Sequence, residues 1–214
     1  MLFDLDGVLI DTEPVWERVR RTFAEERGGE WTTELQTRMM GVRTADWSLA
    51  LSNATGGTTS PDAAAAEVIA SLAAAYRQNL AVIDGARETV RALSLRFRLG
   101  LVSGSPAELI ELTLELMGLT DCFEVAMSAD EVAHGKPTPD PYLELAHRLG
   151  LDPAFCVAVE DSANGMRSAA AAGARVVAIP RGDHQVDPAA LGLATAVLNG
   201  ISELTPELVT SLAG

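Results

Sequence analysis

The sequence contains one lysine, Lys136, in 214 residues; every other basic side chain among its 16 is arginine. It has two cysteines, Cys122 and Cys156, and only 5% aromatic residues. Basic charge is scarce overall, with 16 Lys and Arg against 30 Asp and Glu and a formal net charge of −14. That deficit argues against a nucleic-acid or anionic-membrane partner, since both need a basic footprint. It leaves open a small phosphorylated substrate, whose charge a metal ion and a few donors can meet locally. Two cysteines in apolar contexts make neither a disulfide framework nor a zinc site. They read as buried free thiols in a reducing cytoplasm. No apolar run approaches the ~20 residues of a membrane span. No signal peptide fits, because acidic residues enter at position 4 with no basic segment ahead of them. The expectation is a cytoplasmic globular protein, monomeric or weakly dimeric.

What is present begins at the start of the chain. Residues 2–12 read Leu-Phe-Asp-Leu-Asp-Gly-Val-Leu-Ile-Asp-Thr. Asp4 and Asp6 lie two apart in an apolar run, so on a strand over 2–5 they share a face. Buried carboxylates are costly unless a cation or hydrogen-bond donors compensate them. This pair therefore points to a metal ion or to a carboxylate nucleophile. A calcium loop is excluded, because the register would put Leu2 at a position that requires an oxygen ligand.

Residues 12–78 read as consecutive helices without a convincing strand, over about 14–28, 32–40, 46–53 and 60–78. From there helices and strands alternate. Helices are predicted near 85–95, 105–117, 138–150 and 162–172, with strands near 98–102, 123–127, 155–159 and 174–179. Such alternation predicts a parallel sheet. The expected fold class is α/β, a doubly wound Rossmann-like sheet with a small all-α cap inserted after the first strand. Residues 1–11 and 79–214 would form the core and 12–78 the cap. Ligands of such sheets sit beyond the carboxyl ends of the strands. Asp4, Asp6, Ser103, Glu160 and Asp161 all fall at strand ends, and Lys136 lies in a loop after another strand.

Each of these has an ordinary reading as well. Ser103-Gly104-Ser105 combines hydroxyls, a backbone turn and a helix start, which suits a phosphate, and Ser105 reads equally as a helix cap ahead of Pro106. Lys136, between Gly135 and Pro137, is an exposed lysine in the bland reading. As the only lysine it presents a compact point charge that arginine would not supply. Glu160 and Asp161 could cap the following helix or complete an oxygen-ligand set suited to magnesium.

Taken together, the four segments resemble the haloacid dehalogenase-like superfamily, in its helical-cap branch near the β-phosphoglucomutases and sugar-phosphate phosphatases. The matching stretches are 4–14, 101–106, 135–140 and 159–166, and the resemblance spans essentially the whole chain. It implies that Asp4 attacks phosphorus and forms an aspartyl phosphate, and that Asp6 acts as acid and then base. It implies Mg²⁺ held by Asp4, the Asp6 carbonyl and Asp161, with Glu160 as a direct ligand or a support behind one. Ser103, the Gly104 and Ser105 amides, and Lys136 would hold the phosphoryl oxygens. Thr12, Arg43, Trp16 and Trp47 are candidates on the substrate side, Trp16 being equally a packing residue.

The reaction expected is hydrolysis of a small phosphorylated sugar, polyol or similar metabolite. Asp6 argues against dehalogenation, and a cap without lysine argues against phosphonate cleavage through a Schiff base. A phosphosugar mutase is the principal alternative. Such mutases use a histidine soon after the first motif, where this chain has Trp16, and a cap lysine and arginine; the cap here has no lysine, and only Arg43 could serve as that arginine. A non-catalytic module of the same fold would normally have lost Asp4, Asp6 or Lys136.

Overall fold

The computed structural model describes residues 1–181 and 187–213. Strand β1 (Leu2–Phe3) is followed by four helices, α1 (Glu13–Glu26), α2 (Thr33–Met39), α3 (Thr44–Ala54) and α4 (Pro61–Gln78). Then come α5 (Ala86–Ser94), β2 (Gly100–Ser103), α6 (Ala107–Met117), β3 (Val125–Ser128), α7 (Asp140–Arg148), β4 (Val157–Glu160), α8 (Ala163–Ala171) and β5 (Arg175–Ala178). The chain ends with α9 (Pro188–Leu191), β6 (Ala194–Val197) and α10 (Pro206–Ala213).

The six strands form one sheet in the order β3-β2-β1-β4-β5-β6, every neighbouring pair parallel. The order reverses beside β1, and that switch point is where a doubly wound sheet opens a crevice at its strand ends. The sheet is covered on both faces. One face packs Phe3, Leu101, Val159 and Val177 against α5, α6 and α10. The other packs Leu2, Val102, Ala158 and Val176 against α7, α8 and α9. The alternation of Leu2 and Phe3 between the two layers is the period of a strand, and burial on both faces explains the uninterrupted apolar strand sequences.

Helices α1–α4 make a separate apolar cluster around Trp16, Phe23, Trp47, Leu51, Val68 and Leu72. Two leucines of α6, Leu109 and Leu112, belong to that same cluster. The cap expected after the first strand is therefore present, and it rests on a helix of the core. Ser60 and Thr32 cap α4 and α2 through their side chains, as their residue types favour. No described helix is long and apolar enough to cross a membrane.

Several expectations need correction. β1 stops at Phe3, so Asp4 and Asp6 lie in the turn beyond it rather than on one strand face. The strand expected at 155–159 begins only at Val157; Pro153–Phe155 is a 3-10 turn and Phe155 is 77% exposed. Ser105 does not cap α6: Pro106 occupies the cap position, and no side chain caps that end. Ser162, rather than Glu160 or Asp161, caps α8 by accepting from the Gly165 amide. Strand β6 and helices α9 and α10 went unrecognised, because Ala194–Val197 is a short edge strand with little apolar signal. Of the two cysteines, Cys156 is buried and Cys122 only half-buried.

The cap core gives a direct test. Leu51 is fully buried within it, so Leu51→Ala should lower unfolding stability by about 2–5 kcal/mol, read from the urea midpoint.

Candidate active site

Asp4 leaves β1 with its amide still bonded to the Val159 carbonyl at 3.0 Å, which pins it against β4. Its Oδ1 accepts from Lys136 Nζ at 2.6 Å. The same ammonium donates to Glu160 Oε1 at 2.6 Å and reaches the Val102 carbonyl at 3.4 Å. All three side chains are nearly or fully buried. Tyr142 supports the group from α7: its hydroxyl donates to Glu160 Oε1 at 2.7 Å, and its ring centre lies 5.1 Å from the ammonium. Burial alone would lower the pKa of Lys136, but the two carboxylates outweigh it and hold the ammonium charged, with its pKa above the usual lysine value.

Carboxylates outnumber cations here. Asp4, Glu160 and Asp161 bring carboxylate oxygens within 4.8 Å of one another, and Lys136 is the one ammonium among them. Burial raises the pKa of Asp4 well above the carboxylate range, with Lys136 opposing and Glu160, Asp161 and Asp6 reinforcing the rise. Burial likewise pushes Asp161 up to about 8, with Glu160 adding to the shift. An all-oxygen, over-negative cluster at this spacing fits a hard divalent cation. These three residues could hold one.

Two glycines make the cluster possible. A Cβ on Gly165 would lie 1.9 Å from the Glu160 carboxylate. A Cβ on Gly7 would lie 1.9 Å from Asp161 Oδ2, and Gly7 also sits at φ +86°, a region that disfavours any side chain. Gly7 thus turns the chain beyond Asp6 and leaves room for Asp161.

Asp6 diverges from Asp4. Its Oδ1 accepts from Thr12 Oγ1 at 2.6 Å, and its Oδ2 accepts from Ser103 Oγ and Ser105 Oγ, each at 2.9 Å. The Ser105 amide in turn donates to Ser103 Oγ at 2.9 Å. The Ser103 hydroxyl and the Ser105 amide, expected on a phosphoryl group, are here bonded to Asp6 and to each other, and the Ser105 hydroxyl joins Ser103 on Asp6. A carboxylate in a crevice gathers nearby hydroxyl donors, because an unmet acceptor there is costly. The Asp6 carboxylate stands outside the acidic cluster, which accords with the expected metal set, where Asp6 enters through its backbone carbonyl.

Above the strand ends lies a cavity of about 540 Å³. Its floor carries Asp4, Asp6, Ser103, Gly104, Ser105, Lys136 and Asp161. The cap lines it with Thr12, Glu13, Trp16, Glu17, Arg20 and Trp47, among others. Arg43 does not line it. Arg43 lies along a smaller neighbouring cavity, where its Nη1 donates to the Ala133 carbonyl at 2.8 Å and its Nε pairs with Asp46 at 3.4 Å. With the Thr44 amide bonded to Asp130 Oδ1 at 2.9 Å, it fastens the cap to the loop after β3. Trp16 is buried and meets Trp47 edge-to-face at 5.7 Å.

A family model for haloacid dehalogenase-like hydrolases matches residues 1–173. The chain belongs to that family. Hexitol phosphatase B of Escherichia coli K12 is 34% identical over 209 residues, spanning 95% of this chain and 93% of that protein. A phosphorylated carbohydrates phosphatase of Thermotoga maritima is 32% identical over 174 residues, 81% of each chain. A solved structure of a β-phosphoglucomutase-like protein from Thermotoga maritima superposes with a TM-score of 0.74 at 30% identity, covering 97% of this chain and 96% of that one. These relatives put the chain in the phosphatase and phosphoglucomutase-like branch of the family, as an enzyme of its phosphatase type.

Three residues at the site escaped the sequence reading. Tyr142 carried no signal, being one aromatic on an amphipathic helix. Arg181 pairs with Asp11 at 2.5 Å on the cavity edge, and nothing in its sequence context pointed there. Gly165 stood inside a matching segment, but its role needs the Glu160 carboxylate beside it.

Two outcomes follow from this geometry. Gly165→Ala should displace the Glu160 carboxylate and lower activity about tenfold or more while leaving the far-ultraviolet circular dichroism intact, since moving a catalytic group by about 1 Å costs up to 10²-fold. The second outcome concerns pH. A carboxyl whose folded pKa is raised stabilises the protein below its unfolded pKa, and that stabilisation is lost as pH rises through the folded value. With Asp161 at about 8, the chelated protein should lose stability as pH rises from about 4 toward 8. A saturating divalent cation should flatten that slope in thermal unfolding.

Proposed function

We propose that this enzyme is a Mg²⁺-dependent phosphatase that hydrolyses a small phosphorylated sugar or polyol through an aspartyl phosphate on Asp4. The observation that carries the reading is Asp4 itself. It is buried at the floor of the cavity, held by the chain's only lysine at 2.6 Å and joined to two further carboxylates suited to a cation. The names of the hexitol and carbohydrate phosphatases among its relatives support the substrate class.

Each residue has a task in this reading. Asp4 attacks phosphorus with one carboxylate oxygen while the bond from phosphorus to the leaving oxygen breaks. Asp6 gives its proton to the leaving oxygen, which departs as an alcohol. Asp6 then takes a proton from the water that cleaves the aspartyl phosphate, which restores Asp4 and frees inorganic phosphate. Thr12, Ser103 and Ser105 keep Asp6 oriented for both transfers. Lys136 and the loop at 103–105 meet the charge on the phosphoryl oxygens. When bound at Asp4, Glu160 and Asp161, Mg²⁺ supplies the positive charge that lets a carboxylate and a phosphate approach each other. The cap closes the cavity against water around the leaving group.

With Mg²⁺, the purified protein should release phosphate from a panel of sugar and polyol phosphates. Asp4→Asn should lower that release by about 10⁴-fold or more, and chelation should abolish it reversibly. Undiminished turnover in Asp4→Asn would sink the mechanism. Interconversion of hexose phosphate isomers faster than phosphate release would instead assign a mutase.

A further inference from the structure

Arg20 is the only basic residue that the cap contributes to the described cavity wall. It is 3% exposed. Its guanidinium carbon lies 4.2 Å from the Trp16 ring centre and 5.0 Å from that of Trp47. The guanidinium thus makes a cation–π contact with both indoles, which stand at 75° to each other. Among the described residues, Arg20 Nε has no hydrogen-bond partner, and neither does the buried Trp47 Nε1 beside it. A guanidinium offers five donors and no acceptor. Glu17, one turn before it on α1 and also on the cavity wall, pairs with Arg21. Glu13 and Asp6 favour the charged form of Arg20, yet burial outweighs them and lowers its pKa to about 10, so it remains a cation at neutral pH.

The arrangement bears on two features of the leaving group. First, the Trp16 and Trp47 faces nearest Arg20 are occupied by it, so they serve to hold an arginine rather than to stack a sugar ring. Second, the unmet donor of a buried cation is served better by a charged acceptor than by a neutral hydroxyl. A carboxylate matches the planar fork.

We infer that Arg20 is the specificity-determining residue of the leaving-group pocket, and that it binds a carboxylate carried by the leaving group. The preferred substrates are then phosphorylated sugar acids or hydroxy acids rather than the matching neutral polyol phosphates. The inference rests on the phosphatase reading and narrows its substrate class. Trp16 and Trp47 act as positioning residues for Arg20.

The test compares a matched pair, gluconate phosphate and glucitol phosphate esterified at the same terminal carbon, with p-nitrophenyl phosphate as a leaving group that lacks both features. The wild-type enzyme should show a kcat/KM for the acid about tenfold or more above that for the polyol, the discrimination expected of a charge-assisted pair in a closed pocket. Arg20→Met should erase that preference through KM, with the acid losing about tenfold more than either the polyol or p-nitrophenyl phosphate. Arg20→Lys should keep part of the preference, because it keeps the charge and loses the fork. A wild-type enzyme that favours the polyol overturns the inference. So does an Arg20→Met enzyme that loses the same factor on all three compounds, which marks a structural role. Failure to hydrolyse any sugar, acid or polyol phosphate, with p-nitrophenyl phosphate still cleaved, would count against the substrate class proposed above rather than against Arg20 alone.

Discussion

The site depends on one ammonium shared by two buried carboxylates. Lys136 reaches Asp4 from one direction and Glu160 from another, 2.6 Å from each. Those carboxylates end adjacent parallel strands, β1 and β4. Two like charges at neighbouring strand ends repel in a medium that screens poorly. Without the lysine the sheet would carry an uncompensated cluster at its most buried edge. Breaking such a buried pair by removing one partner is strongly destabilising, at about 3–5 kcal/mol in comparable cases. The lysine thus stabilises the fold where the two carboxylates meet, and it ties the loop after β3 to the centre of the sheet.

Around that contact the other constraints are steric. Gly7 and Gly165 leave space where Asp161 and Glu160 must sit. Tyr142 fills the back of the pocket and gives Glu160 a second donor. The Asp6 carboxylate faces a separate ring of three hydroxyls, from Thr12 just before α1, Ser103 at the end of β2 and Ser105 beyond it. The two aspartates are two residues apart in sequence yet sit in different electrostatic settings, one beside a cation and two anions, the other among neutral donors. Such different surroundings are what the proposed division of tasks between the two would need.

Much of this was legible in the sequence. Alternating apolar strands and helices announced a parallel sheet, and the run of helices after residue 12 announced the cap. Asp4, Lys136, Glu160 and Asp161 stood out because charge in an apolar strand end needs a reason, and a lone lysine in an arginine-rich chain needs one too. The rest depended on distances that spacing does not encode. Ser105 has the sequence of a helix cap, but a carboxylate nearby in space competes for its hydroxyl and wins. Arg43 looked like a substrate contact until the loop carbonyls of 132 and 133 came within its reach. Arg20 reads as one more polar position on an amphipathic helix, and only the stacking of Trp16 and Trp47 on it reveals an inward-facing cation. Strand β6 was missed because a half-exposed edge strand of small residues lacks the apolar run that marked the others.

The leucines that α6 lends to the cap cluster have a thermal consequence. Leu109 and Leu112 are buried beneath α1–α4, so swinging the cap away would wet them. Wetting apolar surface raises heat capacity and is less unfavourable in the cold. Separating the cap from α6 would therefore cost less as the temperature falls. The helix that follows the Ser103–Ser105 loop would in that way make any such opening depend on temperature, through the hydration of two side chains outside the cavity wall.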